Sequence, residues 1–222
     1  FINSIPQDHA LSKLRENDYE GIIFMECNFK DNKMHIGNLL SKLEVPVILP
    51  HANETDKELF PQFATIHPDY KQAWIDGISH LKSLGHSRIA YVSSVYDNGV
   101  PNLRGFEYSE FLDFLSANGL YADPEFIIGT NFGSSTTAVR VAELMRMQSP
   151  PTAIMCFSDF FALDVYKALH SFDINSPAQV AVMGYCGYPG DDMLQPSLST
   201  VDFEYRKIGR LAVKILNQAE EW

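Results

Sequence analysis

Short apolar runs alternate along this chain with longer segments of helical periodicity. The runs are continuous in Ile, Val, Phe and Met instead of alternating with polar residues, which is typical of strands buried on both faces. They predict strands at residues 21–25, 46–49, 63–66, 88–92, 126–128, 153–157 and 180–185. Strands that alternate with helices indicate βαβ units, so we predict an α/β fold with mostly parallel sheets.

The intervening segments carry apolar residues three and four positions apart, as on one face of a helix. They predict helices at residues 70–84, 106–118, 136–147, 160–172 and 205–217. Gly85 and Gly119 follow the first two of these segments directly. Glycine commonly follows a helix C-terminus, so both glycines support the predicted ends.

The chain shows no internal repeat, low-complexity tract or Pro/Gly/Ser-rich linker between independent domains. Two lobes would therefore be joined by strands, and we expect the crossings just after residues 90–94 and at residues 196–201. This predicts one discontinuous lobe from residues 1–93 plus 200–222 and a second lobe from residues 94–199.

Composition narrows the class of protein. The 222 residues are 45% hydrophobic and 20% charged, which is enough for a substantial core. A net charge of -11 argues against binding of this stretch to a phosphate backbone, which needs clustered Lys and Arg. No apolar run reaches the roughly 18 residues that span a bilayer, and residues 1–10 lack a signal-peptide pattern. We therefore expect a cytoplasmic protein without membrane contact, although a leader or another domain could precede Phe1.

Sequence motifs for catalysis or metal binding are absent. There is no GxSxG, P-loop, GxGxxG or HExxH pattern, and the seven histidines are scattered. Cys27, Cys156 and Cys186 lack metal-ligand spacing and are interpreted as reduced thiols, the first two as small buried hydrophobic residues. We predict no enzyme activity, no metal and no cofactor.

Five local patterns occur in one order along the chain. They are HLKSLGHSRIAYV at residues 80–92, Gly105-Phe106 with Phe111-Leu112 and Asn118-Gly119-Leu120, PTAIMCFSDFFAL at residues 151–163, AQVAVMGY at residues 178–185 and QPSLSTV at residues 195–201. Together they resemble the effector domain of lactose-repressor-type (LacI/GalR) transcription regulators. The resemblance covers the chain from about residue 21 to residue 214.

The resemblance implies two Rossmann-like lobes of the periplasmic binding protein type I kind, with a small effector in the cleft between them. The effector would be a sugar or sugar derivative, and the chain would form a homodimer through apolar side chains on first-lobe helices. Operator DNA would be bound only through a helix-turn-helix or winged-helix domain upstream of Phe1. A strand missing at each end of the chain is also implied. The alternative is an extracytoplasmic sugar-binding protein of a transport system. A DNA-binding segment upstream of Phe1 would favour the regulator, and a signal peptide there would favour the transport protein.

Three candidate ligand residues match positions of this family. Phe132 lies where the family has an aromatic residue against the ligand ring, although packing under the following turn is an alternative. Ser158 and Asp159 follow a predicted strand, where the family commonly has Asn-Asp. Asp159 could instead cap the next helix by accepting hydrogen bonds from free N–H groups. We expect Asp159 to cap, and Ser158 either to contact ligand or to have a structural role.

Two positions depart from the family pattern. Asn102 lies three residues before the Gly-Phe pair, where the family has a ligand-binding Arg, but Arg104 is close by and either could face the ligand. Cys186 occupies the position of the family's ligand-binding Asp, and a thiol is a weak donor and acceptor. Both departures argue against a conventional monosaccharide: the ligand would be modified, less hydroxylated or larger, or the chain would bind none.

Other polar residues are weaker candidates. Asp191-Asp192 is interpreted as a solvated turn or helix start after Pro189-Gly190. His67, Asp69 and Tyr70, near the third predicted strand, are plausible first-lobe contributors to the ligand site.

Overall fold

The computed structural model describes residues 19–24, 33–52, 54–96 and 98–218. The chain divides into a smaller unit, Phe1–Pro68 with Glu204–Trp222, and a larger unit, Asp69–Phe203. Within the described residues, both units contain a parallel sheet, of three strands in the smaller unit and five in the larger. The prediction of an α/β fold with parallel sheets is confirmed.

The smaller unit contains strands β1 (Ile22–Ile23), β2 (Val47–Pro50) and β3 (Ala64–Ile66), in that order across the sheet. Its described helices are α1 (Lys33–Leu40), α2 (Glu54–Leu59) and α7 (Tyr205–Asn217). Helix α7 packs against all three strands. One buried cluster of this unit contains Leu40, Val47, Leu49, Ala52, Phe60 and Phe63.

The larger unit contains strands β4 (Ile89–Ser94), β5 (Ile127–Thr130), β6 (Ala153–Cys156), β7 (Ala181–Cys186) and β8 (Ser199–Asp202). Its helices are α3 (Tyr70–Ser83), α4 (Tyr108–Ala117), α5 (Ser135–Met145) and α6 (Asp159–Ser171), with short 3-10 turns at Pro124–Phe126 and Asp191–Met193. The sheet order is β5-β4-β6-β7-β8, and every pair is parallel.

Buried apolar side chains cover the sheet of the larger unit. One cluster joins β4, β6 and β7 to helices α5 and α6, through residues such as Val92, Ile154 and Val165. A separate aromatic cluster places the Trp74 and Tyr185 ring centroids 5.3 Å apart and those of Tyr91 and Phe111 4.9 Å apart. Burial of such large side chains supplies much of the hydrophobic stabilisation of a unit this size.

The unit boundaries differ from the predicted lobe boundaries at residues 93 and 199. Strand β4 pairs with β5 and β6, and β8 pairs with β7, so both belong to the larger sheet. The chain therefore enters the larger unit before α3 and leaves it after β8.

The local sequence determines where helix α3 begins and ends. The Asp69 carboxylate accepts a hydrogen bond from the Gln72 N–H at 2.9 Å and caps the N-terminus. The helix ends at Ser83, and Gly85 follows with φ +92°, a left-handed conformation that suits glycine. Asp69 was a plausible first-lobe ligand residue by sequence, but it lies in the larger unit as a helix cap.

Candidate ligand site

The six predicted site residues lie at, or shortly after, the carboxyl ends of β4, β5, β6 and β7. The loop after β4 carries Asn102 and Arg104, and the loop after β5 carries Phe132. Ser158 and Asp159 follow β6, and Cys186 is the last residue of β7. Because parallel strands end at the same edge of a sheet, all six lie along the edge where α/β proteins bind ligands.

The Arg104 guanidinium reaches the ends of β6 and β7. Its Nη2 donates a hydrogen bond to the carbonyl oxygen of Phe157 at 2.6 Å and lies 4.0 Å from the Cys186 Sγ. Its Cζ lies 3.5 Å from the ring centroid of Phe157, 4.6 Å from that of Tyr185 and 5.8 Å from that of Tyr70. Aromatic rings at these distances attract the cation and hold its plane in place.

Asn102 supports the turn that carries Arg104. Its Oδ1 accepts a hydrogen bond from the Arg104 N–H at 3.1 Å, and its own N–H donates to the carbonyl oxygen of Ser94 at 2.8 Å. Arg104 has φ +54° and Gly105 has φ +93°, so the turn is sharp and left-handed. Of the two alternatives from the sequence, the structure brings Arg104 to the strand ends and engages Asn102 within the loop.

A row of aromatic side chains follows the same edge. Phe132 is 55% exposed and Phe160 is 48% exposed, with their ring centroids 5.5 Å apart. The ring of Phe160 lies 4.9 Å from that of Tyr188, which follows β7. We call Phe132, Phe160 and Tyr188 the aromatic row. Exposed aromatic faces beside polar groups suit a ligand with an apolar ring face.

Sequence reasoning missed Phe160 and Tyr188. Each lies within two residues of a predicted site residue, Asp159 or Cys186. That proximity to the end of a buried strand was the available signal. Helical periodicity marks only the buried face of α6, so it does not identify the exposed Phe160, and Tyr188 lies in a loop without periodicity.

Asp159 does not cap the helix, so that prediction is wrong. Helix α6 begins at Asp159 itself, and Ser158, at the N-cap position, makes no side-chain capping bond. The Asp159 carboxylate, only 3% exposed, accepts hydrogen bonds from the Thr200 hydroxyl at 2.6 Å and the Tyr188 N–H at 2.8 Å. Burial raises the pKa of Asp159, and these hydrogen bonds oppose the rise. Asp159 thus ties β8 to the loop that carries Tyr188.

Cys186 lies at a strained point in the backbone. It is 5% exposed and has φ +115°, and Gly187 continues the turn with φ +73°. A Cβ on Gly187 would lie 2.7 Å from the Asp202 Oδ1, so glycine is required there. Cys186 and Cys156 are both buried thiols outside any disulfide, and burial raises the pKa of the Cys156 thiol. Cys27 lies outside the described residues.

Asp191 begins the 3-10 turn Asp191–Met193, in agreement with the predicted turn or helix start, but its carboxylate is not fully solvated as predicted. Its Oδ2 is buried without a hydrogen-bond partner. Burial, together with the negative charges of Asp159, Asp192 and Asp202, raises the pKa of Asp191 to about 6. This carboxyl group therefore titrates close to physiological pH.

Within the described residues, no group of three or more His, Cys, Asp or Glu side chains is arranged to hold a metal ion. Nor does any helix of the described ranges have the length and apolar character needed to cross a membrane. His67 and Tyr70 are the other weak candidates. The His67 Nε2 lies 3.1 Å from the Thr65 Oγ1, and the Tyr70 carbonyl oxygen accepts a hydrogen bond from the Tyr185 hydroxyl at 2.7 Å.

Comparison with known proteins identifies the family. Residues 78–219 match the family model described as periplasmic binding protein-like domain, and the chain belongs to that family. The repressor PurR of Vibrio atlanticus is 30% identical over 217 residues, and catabolite control protein A of Priestia megaterium is 26% identical over 213 residues. Both matches cover 95% of this chain and 60% of the relative, so the chain spans about three-fifths of their length.

Solved structures show the same fold. A transcription regulator from Lactobacillus plantarum gives a TM-score of 0.75 at 17% identity, covering 97% of this chain and 78% of that chain. A LacI family regulator from Lactobacillus casei, solved with bound sucrose, gives 0.70 at 23% identity, covering 96% and 75%. The predicted resemblance to LacI/GalR-type regulators is confirmed. The relatives named here are regulators and not enzymes, in line with the prediction of a chain without catalytic activity.

Proposed function

We propose that this chain is the ligand-sensing and dimerising part of a bacterial transcription regulator. Its effector is a small sugar or sugar derivative, bound at the carboxyl edge of the larger sheet. The observation that carries the proposal is the Arg104 guanidinium at the ends of β6 and β7, on the edge that also exposes the aromatic row.

These two features meet the two chemical needs of a sugar ligand. A guanidinium offers several N–H donors in one plane, which suits neighbouring hydroxyl oxygens. Exposed aromatic rings cover the apolar face of a pyranose. The Lactobacillus casei regulator, whose structures contain sucrose and glucose, supports a sugar-like effector by its similar fold.

The remaining parts of the proposal concern the whole protein. The net charge of -11 leaves DNA binding to another domain, expected upstream of Phe1, and the longer curated relatives are consistent with one. Ligand would favour one of two conformations and so change operator affinity in the cytoplasm. Leu211 and Val213, exposed on α7 of the smaller unit, are candidates for a homodimer contact.

A thermal-shift screen of monosaccharides, oligosaccharides, sugar acids and nucleobases tests ligand binding by this chain. A ligand that binds only the folded state raises the melting temperature by mass action. We expect a sugar or sugar derivative to raise it, and Phe132→Ala or Ser158→Ala to reduce the shift. Phe172→Ala, which removes a partly exposed ring after the C-terminus of α6, is the matched control.

Two outcomes would count against the assignment. If no sugar or sugar derivative raises the melting temperature at millimolar concentration, the proposed effector class is wrong. If the shift is the same in wild type, Phe132→Ala and Ser158→Ala, the ligand binds away from this edge.

A further inference from the structure

The Arg104 guanidinium has no carboxylate partner in the described part of the chain. None of the ion pairs among those residues involves it. Its Nε is buried and makes no hydrogen bond, and its Nη2 donates to a neutral group, the Phe157 carbonyl. A partly buried cation with unfilled donors is costly unless an anion or another strong acceptor is supplied.

The immediate neighbours hold the guanidinium without neutralising it. The rings of Phe157, Tyr185 and Tyr70 attract a cation through their quadrupoles, but they carry no net charge. The Cys186 Sγ, 4.0 Å from Nη2, is a weak acceptor. The surroundings therefore fix the position of the cation and leave its charge available to a ligand.

Asp159 and Asp191, two acidic residues of the same edge, form no ion pair with Arg104. The Asp159 carboxylate accepts hydrogen bonds from Thr200 and Tyr188. The pKa of Asp191 is raised by burial and by neighbouring carboxylates, whereas a guanidinium in contact would lower it. These carboxylates thus do not serve as the counter-charge of Arg104.

We propose that the effector carries an oxyanion, a carboxylate or phosphate on a sugar ring, and that Arg104 binds this group. The inference rests on the proposed ligand site and specifies the chemistry of its ligand. The planar guanidinium matches two oxygens of such a group at once, and Arg forms this bidentate pair better than Lys. The aromatic row then receives the ring of the same ligand.

Calorimetric titration of the chain with matched probes tests the charge requirement. The probes are glucose with glucuronate and glucose 6-phosphate, and galactose with galacturonate. We expect at least one acid to bind at least about tenfold more tightly than its neutral parent, as is usual for hydrogen bonds to charged groups. Arg104→Gln should abolish this preference, and Arg104→Lys should keep only part of it.

Arg140→Gln is the matched control. Arg140 lies on α5, where its guanidinium pairs with Glu143 at 2.6 Å on the surface. Its loss removes the same charge from the protein but not from the site, so the ratio of acid to neutral affinity should stay at the wild-type value. This ratio separates a direct role of Arg104 from general damage to the fold, which would weaken both probes of a pair equally.

Cys186→Asp provides a second, independent variant. It places a carboxylate beside the guanidinium, and Asp accepts a positive φ more readily than most residues. The new ion pair should reduce the affinity for the acids and shift the preference towards their neutral parents. Cys186→Asn introduces an uncharged side chain of nearly the same size as Asp. It therefore shows how much of the change in affinity comes from the size of the new side chain and not from its charge.

The outcomes separate this inference from the proposed function. If a neutral sugar binds as tightly as its acid and Arg104→Gln weakens both equally, the anion requirement is wrong while the sugar site stands. If Cys186→Asp leaves the acid preference intact, Arg104 is not the group that binds the anion. If no probe binds the wild-type chain, both the anion requirement and the proposed sugar effector are contradicted.

Discussion

The guanidinium of Arg104 contacts both the ring and the backbone of Phe157. Cζ of Arg104 lies 3.5 Å from the centroid of the Phe157 ring, and Nη2 donates to the carbonyl oxygen of the same residue at 2.6 Å. Phe157 directly follows β6, so the sheet itself determines where the charge lies. A guanidinium fixed in this way loses little conformational entropy when it binds a ligand.

The aromatic row gives a prediction for ligand affinity. Phe160→Ala should weaken binding of a ring-containing ligand by roughly 0.5–1.5 kcal/mol, the usual value of an aromatic contact beyond its buried area. Because Phe160 is 48% exposed, the melting temperature of the free chain should change little. Calorimetric titration of wild type and variant measures the difference. Phe172→Ala serves as the control, and equal losses in both variants would show that Phe160 has no specific role.

Gly184 in β7 gives a prediction for stability. A Cβ at this position would overlap the Asp159 Oδ1 and lie 2.8 Å from the Leu198 Cδ2. Because Asp159 is fixed by two hydrogen bonds, it has little freedom to move away. Gly184→Ala should therefore lower the free energy of unfolding by about 1–3 kcal/mol, as overpacking does. Urea unfolding followed by circular dichroism measures this change.

Gly209→Ala is the matched control for Gly184→Ala. Gly209 lies within α7, and a Cβ there would meet no atom within 4 Å. Alanine in a helix interior should stabilise the chain by roughly 0.5–1 kcal/mol relative to glycine. A Gly184→Ala variant as stable as wild type would mean that Asp159 is not held as described.

Asp191 gives a prediction for the pH dependence of stability. Its pKa is about 6 in the folded state and 3.8 in the absence of the fold. Between these values the folded state binds more protons than the unfolded state, so stability falls as pH rises and then levels above pH 6. Asp191→Asn should flatten this part of the profile and raise the urea midpoint at pH 7 more than at pH 4.5.

Asp113→Asn, at an exposed position of α4, is the control for this titration. It should retain the wild-type slope between pH 4 and pH 6. The pKa of Asp159 is also raised, so a smaller slope of the same sign should remain in Asp191→Asn. Identical slopes in Asp191→Asn and Asp113→Asn would exclude Asp191 as the titrating group.

The helices and strands were largely predictable from the sequence, because buried strands and buried helix faces are rich in apolar residues. All seven predicted strands have a counterpart, and residues 205–217 form α7 with the predicted bounds. By sequence, residues 196–201 indicate a crossing between lobes, because the half-exposed residues of β8 lack the continuous apolar character of a central strand. The place of β8 at the edge of the sheet explains that composition.

The candidate site was only partly predictable. The strand ends identified the loops, because ligands bind beyond the carboxyl ends of parallel strands. The choice between Asn102 and Arg104 depends on a left-handed turn at Arg104 that residue type does not encode. The contact between Phe132 and Phe160 joins the loop after β5 to the first turn of α6, which follows β6, and only the folded sheet brings the two residues together.

Hydrogen exchange with mass spectrometry, in the presence and absence of the sugar or sugar acid that gives the largest thermal shift, tests the central claim most directly. We predict that ligand slows exchange in the loops of the larger unit that follow β4, β5, β6 and β7, including residues 102–106, 131–134 and 186–190. Protection confined to residues outside these loops would contradict the assignment of the ligand site to this edge.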